Sequence, residues 1–356
     1  MHKFTVFGIL LALVLIVTAS TCGLFINGRT FSWEAAHTPS ESSLENSYLV
    51  ARNYKQLLDR AQALLLAGET TGNIRFYGTT ENISADLARA CTELTAGTPI
   101  GAYAVESITM TPTQMLSYQN IAVTVVYRRD FSQIASLREL ESSSDLPGIL
   151  QAALSASAPT VALSMDYYSP ELLNFEQNLA DTCAAFPDVC YGLSGYEIST
   201  FPNEGLSRIV EIRFSYDISA EEIARRRKLA SDKIAAIVSK IETKDPQTAY
   251  RAFFDFIRSI AHKTERTSSS DDTPYAVLLE GHGTAFGMSA TFYQLCRAAS
   301  LPCYLVNGTK NGASHTWNLV FYENAWYHID LTADGMFMLA GQSMHDYAWK
   351  NPDFRH

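Results

Sequence analysis

Residues 280–296 read EGHGTAFGMSATFYQLC, and the fold of the C-terminal third turns on this stretch. An extended lead-in and a tight glycine turn come first. Then the pattern predicts a helix from Ala285 to Ala299, with Thr284 as its N-cap. The residue after that cap stands at the positive end of the helix dipole, where a thiol pKa is lowered and an anion is favoured. A cysteine nucleophile would be well placed there, yet the side chain is the methyl of Ala285. The nearest hydroxyls, Thr284 and Ser289, are expected to point in other directions, the neighbour by about 100°. Cys296 lies about 16 Å further along the helix.

Downstream, NGASHTWNLVFYENAWYHIDLT (311–332) reads as a hairpin turning at residues 323–325. His315 is expected on the outgoing strand and Asp330 on the return. Counted from Asn324 they are nine back and six forward, so they do not face each other directly. A bulge or neighbouring-strand geometry would be needed to join them. Joined, Asp330 would orient and charge-stabilise the imidazole of a general base. The plainer alternative is a buried structural pair.

With GHGTAFG, LCRAASLPCYLVNG, HTWN and WYHIDLTADG in order, and the tail MFMLAGQSMHDYAWKNPDF behind them, residues 245–356 resemble the transglutaminase-like domain family. That family has a papain-like cysteine–histidine–aspartate arrangement. The resemblance implies an α+β fold with the nucleophile helix packed on an antiparallel sheet. It puts Ala285 at the nucleophile position, His315 at the general base and Asp330 at the orienting acid. Gly283 and Gly287 match the glycines flanking the nucleophile. Family members with the cysteine act through a thioester, which Ala285 has no atom to form. Gly283, Thr284, Gly287 and Trp317 are expected to line the cleft. Trp317, Trp326 and Tyr327 also read as core aromatics of the hairpin. His282 and His328 have no partner legible in the sequence, and no Cys/His spacing resembles a zinc site. No metal or cofactor is expected.

The rest of the chain predicts an α+β architecture with an N-terminal membrane segment and two βαββ-like modules. Residues 4–26 carry no charge and are long enough to cross a bilayer, for which about 20 apolar residues suffice. An uncleaved signal anchor, a signal peptide cut after Ala19, and a lipoprotein modified at Cys22 all fit. Each puts the bulk of the chain outside the cytoplasm, and the anchor, the leading reading, holds it at the cell membrane. Residues 1–28 form this segment, and 29–69 a tether followed by one long amphipathic helix closed by Gly68. The first module is expected within 70–144, with strands at 73–78, 102–110 and 120–129 and a helix at 84–94. The second is expected within 145–218, with strands at 160–165, 191–200 and 208–216 and a helix at 171–183. Residues 219–356 hold the last domain and its leading helices, the second capped by Asp245 and opened by Pro246.

Hydrophobic residues make up 47% of the chain and charged residues 18%, so there is no compositional case for disorder. A net charge of −10 argues against a general nucleic-acid binder, and ARRRK (224–228) reads as a solvated helix face. Cys183/Cys190 and Cys296/Cys303 share a seven-residue step, and each pair is either a disulfide or two buried thiols. The leading expectation is a membrane-tethered protein whose inactive transglutaminase-like domain binds a peptide or cell-wall segment. The alternatives are an active amide hydrolase or acyl transferase with an unrecognised nucleophile, and a purely structural surface domain.

Overall fold

Asn53 caps the first described helix, its side chain accepting from the Gln56 amide. The computed structural model describes residues 49–241, 245–332 and 337–349. The apolar span at 4–26 and the tether at 27–43 lie outside them. Among the described residues no helix is long and apolar enough to cross a membrane.

The long helix expected before Gly68 is shorter. Leu49–Ala51 is a strand, β1, and helix α1 runs Tyr54–Leu66 after Asn53 accepts the Gln56 amide. The apolar spacing continues across a helix start that only the Asn53 side chain marks. Beyond it come β2 (Thr71–Phe76), α2 (Ile83–Thr92), α3 (Pro99–Ala104), β3 (Val105–Gln114) and β4 (Gln119–Tyr127). Residues 102–104, expected in a strand, are helical because Thr98 and Pro99 open a short helix there. β3 continues through Pro112, which is tolerated because β3 is the edge strand of the order β1-β2-β4-β3.

A second sheet repeats this order. After α4 (Phe131–Ala135) it is built from β5 (Arg138–Glu139), β6 (Thr160–Met165), β7 (Leu193–Phe201) and β8 (Arg208–Tyr216), ordered β5-β6-β8-β7. Its helices are α5 (Leu146–Ser155), α6 (Pro170–Leu173) and α7 (Phe175–Ala185). The single helix expected over 171–183 is broken at Asn174, whose φ of 38° is left-handed, a conformation asparagine adopts more readily than most residues. The two sheets thus share one strand order. In both sheets, moreover, a strand and a helix precede the βαββ segment.

Cys183 and Cys190 close a disulfide with Cα atoms 5.9 Å apart, whereas Cys296 and Cys303 are free. Replacing both bridged cysteines by serine is expected to cost about 2 kcal/mol by the loop-entropy relation for so short a loop. A lowered urea midpoint checks it.

The third sheet stands behind two helices, α8 (Ala220–Val238) and α9 (Pro246–Ile260), the latter capped by Asp245 as the sequence indicates. Two short paired strands follow, β9 (His262–Lys263) and β10 (His282–Gly283). Residues 276–280, read as extended, form a wide helical turn instead, with Val277 and Ala276 fully buried. Then come α10 (Ala285–Ala298), β11 (Cys303–Lys310), β12 (Ala313–Tyr322), β13 (Ala325–Ile329) and β14 (Tyr347–Trp349). These last strands form an antiparallel sheet in the order β13-β12-β11-β14. The hairpin turns on Glu323 and Asn324, both at positive φ, the two-residue turn whose twist suits paired strands. α9 and α10 meet this sheet over a core of Tyr250, Phe253, Ile257, Phe292, Leu295 and Val320.

Candidate active site

Ala285 is the first residue of α10, and Thr284 caps it: the Thr284 hydroxyl oxygen accepts from the Gly287 amide at 3.1 Å. The same hydroxyl donates to Asp272 Oδ1 at 2.6 Å. Both of its hydrogen-bonding directions are therefore spent on the turn. Ser289, one turn on, lies within about 40° of the direction of Ala285 at 100° per residue, so direction does not disqualify it, contrary to expectation. Its burial does, because it is fully enclosed and donates to Thr316 O at 3.1 Å.

The loop before α10 is bound tightly beneath it. Asp271 is buried, and its carboxylate accepts from the amides of Thr267 and Ser268 at 2.7 and 2.9 Å. Burial alone would raise its pKa, but these bonds and one from His282 hold it below the usual range. Asp272, by contrast, is pushed up by burial. A Cβ on Gly287 would stand 2.5 Å from the Asp271 carbonyl oxygen, so only glycine admits this approach. His282, without a legible partner in sequence, meets Asp271 Oδ1 at 3.2 Å through Nε2.

α10 runs alongside β12. Asn318 Nδ2 donates to Ser289 O at 3.0 Å, and toward the other end Cys296 shares a core cluster with Cys303, which pairs with Val320. Passing from Cys296 to Ser289 thus moves from Val320 back to Thr316. Ala285 lies about 6 Å further in the same direction at 1.5 Å per residue, toward the His315 end of the strand.

His315 Nε2 and Asp330 Oδ2 are 2.8 Å apart and both groups are buried. No bulge is needed to join them. Asn318 faces Ile329 across the hairpin; one step further Trp317 faces Asp330, and His315 is the diagonal neighbour on the same face, within reach of a long side chain. Asp330 also accepts from Lys310 Nζ at 3.1 Å and the Tyr347 hydroxyl at 2.6 Å on Oδ2, and from Thr332 through its amide and hydroxyl on Oδ1. Burial would raise this carboxyl, but the bonds from His315, Tyr347 and Thr332 outweigh it and hold it far below the usual range. Burial and the carboxylate push the Tyr347 hydroxyl up. An ionised carboxylate only accepts, so Nε2 donates, and in the neutral ring Nδ1 keeps its lone pair; Nδ1 has no hydrogen-bond partner among the described residues. That is the tautomer a general base requires.

Lys310, Thr332 and Tyr347 are absent from the sequence reading. β14 reaches Asp330 only because Tyr347 pairs with Lys310 at the far edge of β11, a register no local pattern announces. Gly308 makes room there, since a Cβ would stand 2.3 Å from the Ala348 carbonyl oxygen.

Trp317 is fully buried and is the core aromatic of its two readings. Its Nε1 donates to His328 Nδ1 at 2.9 Å, and rings of His315, Tyr347 and Trp349 surround it. Burial lowers the His328 pKa to about 4. Its unfolded value is near 6.5, so the neutral ring's contribution is complete above about pH 6.5 and is lost as pH falls toward 4. Wild type should lose about 3 kcal/mol more than His328→Gln over that window. Thermal melts at pH 7.5 and 4.5 check this.

Residues 235–331 match the family model of the transglutaminase-like superfamily. The chain carries a transglutaminase-like domain. Several solved structures are also similar. A TGase shares 14% identity at a TM-score of 0.26, over 63% of this chain and 64% of that one, so this chain spans somewhat less than two thirds of its length. A candidate cysteine protease from Cytophaga hutchinsonii shares 17% at 0.26, over 43% and 70%. The periplasmic domain of TgpA from Pseudomonas aeruginosa shares 16% at 0.21, over 39% and 63%. At such TM-scores they add nothing to the assignment, which rests on the family match. No curated protein matches the chain. Among the described residues no group of three His, Cys, Asp or Glu could hold a metal ion. The transglutaminase-like domain thus has an oriented imidazole, a charged acid behind it, and a methyl group at the head of the helix.

Proposed function

We propose that this is a membrane-tethered, extracytoplasmic protein whose transglutaminase-like domain does not turn over substrate and instead binds or scaffolds a peptide or cell-wall segment. The observation that carries this reading is the combination at the site: Ala285 heads α10 while His315 and Asp330 remain hydrogen-bonded at 2.8 Å. Nucleophilic catalysis needs an atom that forms and releases a covalent bond, and Ala285 offers none. The two nearby hydroxyls are committed, Thr284 to Asp272 and Ser289 to Thr316. An imidazole with a free Nδ1 beside a helix N-terminus still favours a polar, amide-bearing chain in the cleft. The uncharged 23-residue stretch at 4–26 supports the tether, and the net charge of −10 supports a ligand other than nucleic acid.

Binding of amide-bearing and cell-wall-derived peptides, followed by fluorescence anisotropy, tests the reading. Saturable binding to wild type should fall at least tenfold in Ala285→Trp, which fills the cleft. Equal binding by both proteins would sink it.

A further inference from the structure

The basic run ARRRK at 224–228 is solvated at Arg225 and Lys228, while Arg226 and Arg227 are half-buried. Arg225 and Arg226 both hold Glu222, and Arg226 also reaches Ser270. Arg227 turns inward and donates to three main-chain carbonyls, those of Ser155, Leu154 and Val189, at 2.8–3.1 Å. It thereby ties α8 to the end of α5 and to the disulfide loop of the second sheet's module. Its Nε is buried without a partner.

Beside Arg227 opens a cavity of about 500 Å³, walled by α8, the C-terminal turns of α10 and the residues around the disulfide. Its lining carries Arg227, Lys228 and Arg297 against a single carboxylate, Asp188. With the Asp232 carboxylate on Lys228 counted, three positive groups against two negative still leave a surplus of one, in a chain whose net charge is −10. Among the described residues neither Arg227 nor Arg297 forms an ion pair with a carboxylate. Arg297 instead lies over the Tyr293 ring, 5.7 Å from its centre. Lys228 pairs with Asp232 on the surface, where both side chains are more than half exposed and the pair is weak. Ser231 and Gln294 add neutral hydrogen-bonding groups to the lining. The wall is braced, since Tyr293 donates to Ala185 O at 3.0 Å and the Cys183–Cys190 bridge closes the loop carrying Asp188.

Structural duty accounts for Arg227, whereas Arg297 lines the cavity with no carboxylate paired to it among the described residues, and Lys228 lines it while its ammonium holds only the weak surface pair with Asp232. We propose that this inter-module cavity is an anion-binding site, taking a small ligand with carboxylate or phosphate groups, with Arg297 and Lys228 as its direct contacts and Arg227 supplying field from behind. Guanidinium recognises both groups through paired charge-assisted hydrogen bonds. The site is separate from the cleft at Ala285, because Gln294, Arg297 and Ala298 occupy the opposite end of α10.

Titration calorimetry of the full-length protein at low ionic strength, with inorganic phosphate and with citrate as separate probes, tests this. Saturable binding of citrate alone would assign a carboxylate ligand, and of phosphate alone a phosphate ligand. Arg297→Gln should weaken binding by about tenfold, in line with the loss of one charge-assisted contact. Lys228→Gln should add to that loss, and His315→Ala should leave binding intact. Arg297→Gln and Lys228→Gln remove only side chains at the cavity rim, and thermal melts establish that both variants fold. The proposal is overturned if neither anion binds saturably, or if folded Arg297→Gln binds as tightly as wild type.

Discussion

Ala285→Cys should raise amide-bond turnover at least about 100-fold over the wild-type background, since loss of a nucleophile in such a catalytic unit costs about 10⁶ in kcat. The reason is that the other parts are in place. The new thiol would head a 14-residue helix capped by Thr284, and the helix dipole stabilises a thiolate there. His315, its Nε2–H bound to Asp330 at 2.8 Å, presents Nδ1 as proton acceptor. The thiol proton would pass to Nδ1, the sulfur would bond to the acyl carbon, and the amine would leave carrying that proton, giving a thioester for water or a second amine to open. Single-turnover assays on a panel of amide, peptide and amine-donor substrates measure the gain. Adding His315→Ala should return the rate to the wild-type background, whereas Asp330→Asn should lower it while leaving the thiol reactive toward alkylation. Turnover by the unaltered protein would overturn the inactive reading, and a cysteine variant that folds, alkylates and remains inert would overturn the reading of His315 and Asp330 as a poised acid–base pair.

Trp317→Ala should be the most destabilising single change in the C-terminal domain, at about 3–5 kcal/mol as for other buried aromatics cut to alanine. Trp317 is fully enclosed and packs with Val306, Leu319 and Met344. Its loss would leave a cavity and strip His328 Nδ1 of its buried donor, a desolvation cost of about 1–3 kcal/mol in itself. Trp317→Phe separates the two effects by keeping most of the volume and losing the bond. Urea unfolding followed by circular dichroism measures both. The His315–Asp330 geometry rests on the same cluster, since the His315 and Trp317 rings stack with centroids 6.2 Å apart. Ala285→Cys/Trp317→Phe should therefore react more slowly than Ala285→Cys alone. Unfolding of Trp317→Ala at the wild-type midpoint would remove Trp317 as the organiser of this face.

How much of this is legible before folding depends on how local the signal is. Asp245 with Pro246, and Thr284 before Ala285, mark helix starts through side chains that bind amides two or three residues away, so spacing alone reveals them. The hairpin and its turn are equally local. The start of α1 is less visible, because apolar spacing persists upstream of Asn53 while Leu49–Ala51 is a strand. The break at Asn174 is hidden in the same way inside an otherwise helical pattern.

What the sequence by itself determined is the chemical inventory and its order: an alanine after the Thr284 cap, with a histidine and an aspartate downstream. Local propensity and periodicity carry that information. Tertiary structure alone decided the rest. Asp330 gathers His315, Lys310, Tyr347 and Thr332 because strands far apart in the chain share one sheet register. The seven-residue cysteine step closes at Cys183–Cys190 but not at Cys296–Cys303, since equal spacing says nothing about how two Cβ vectors meet. Arg227 leaves a run of surface charge to bind buried carbonyls, because what a charge faces depends on the element packed against it and not on its neighbours in the chain.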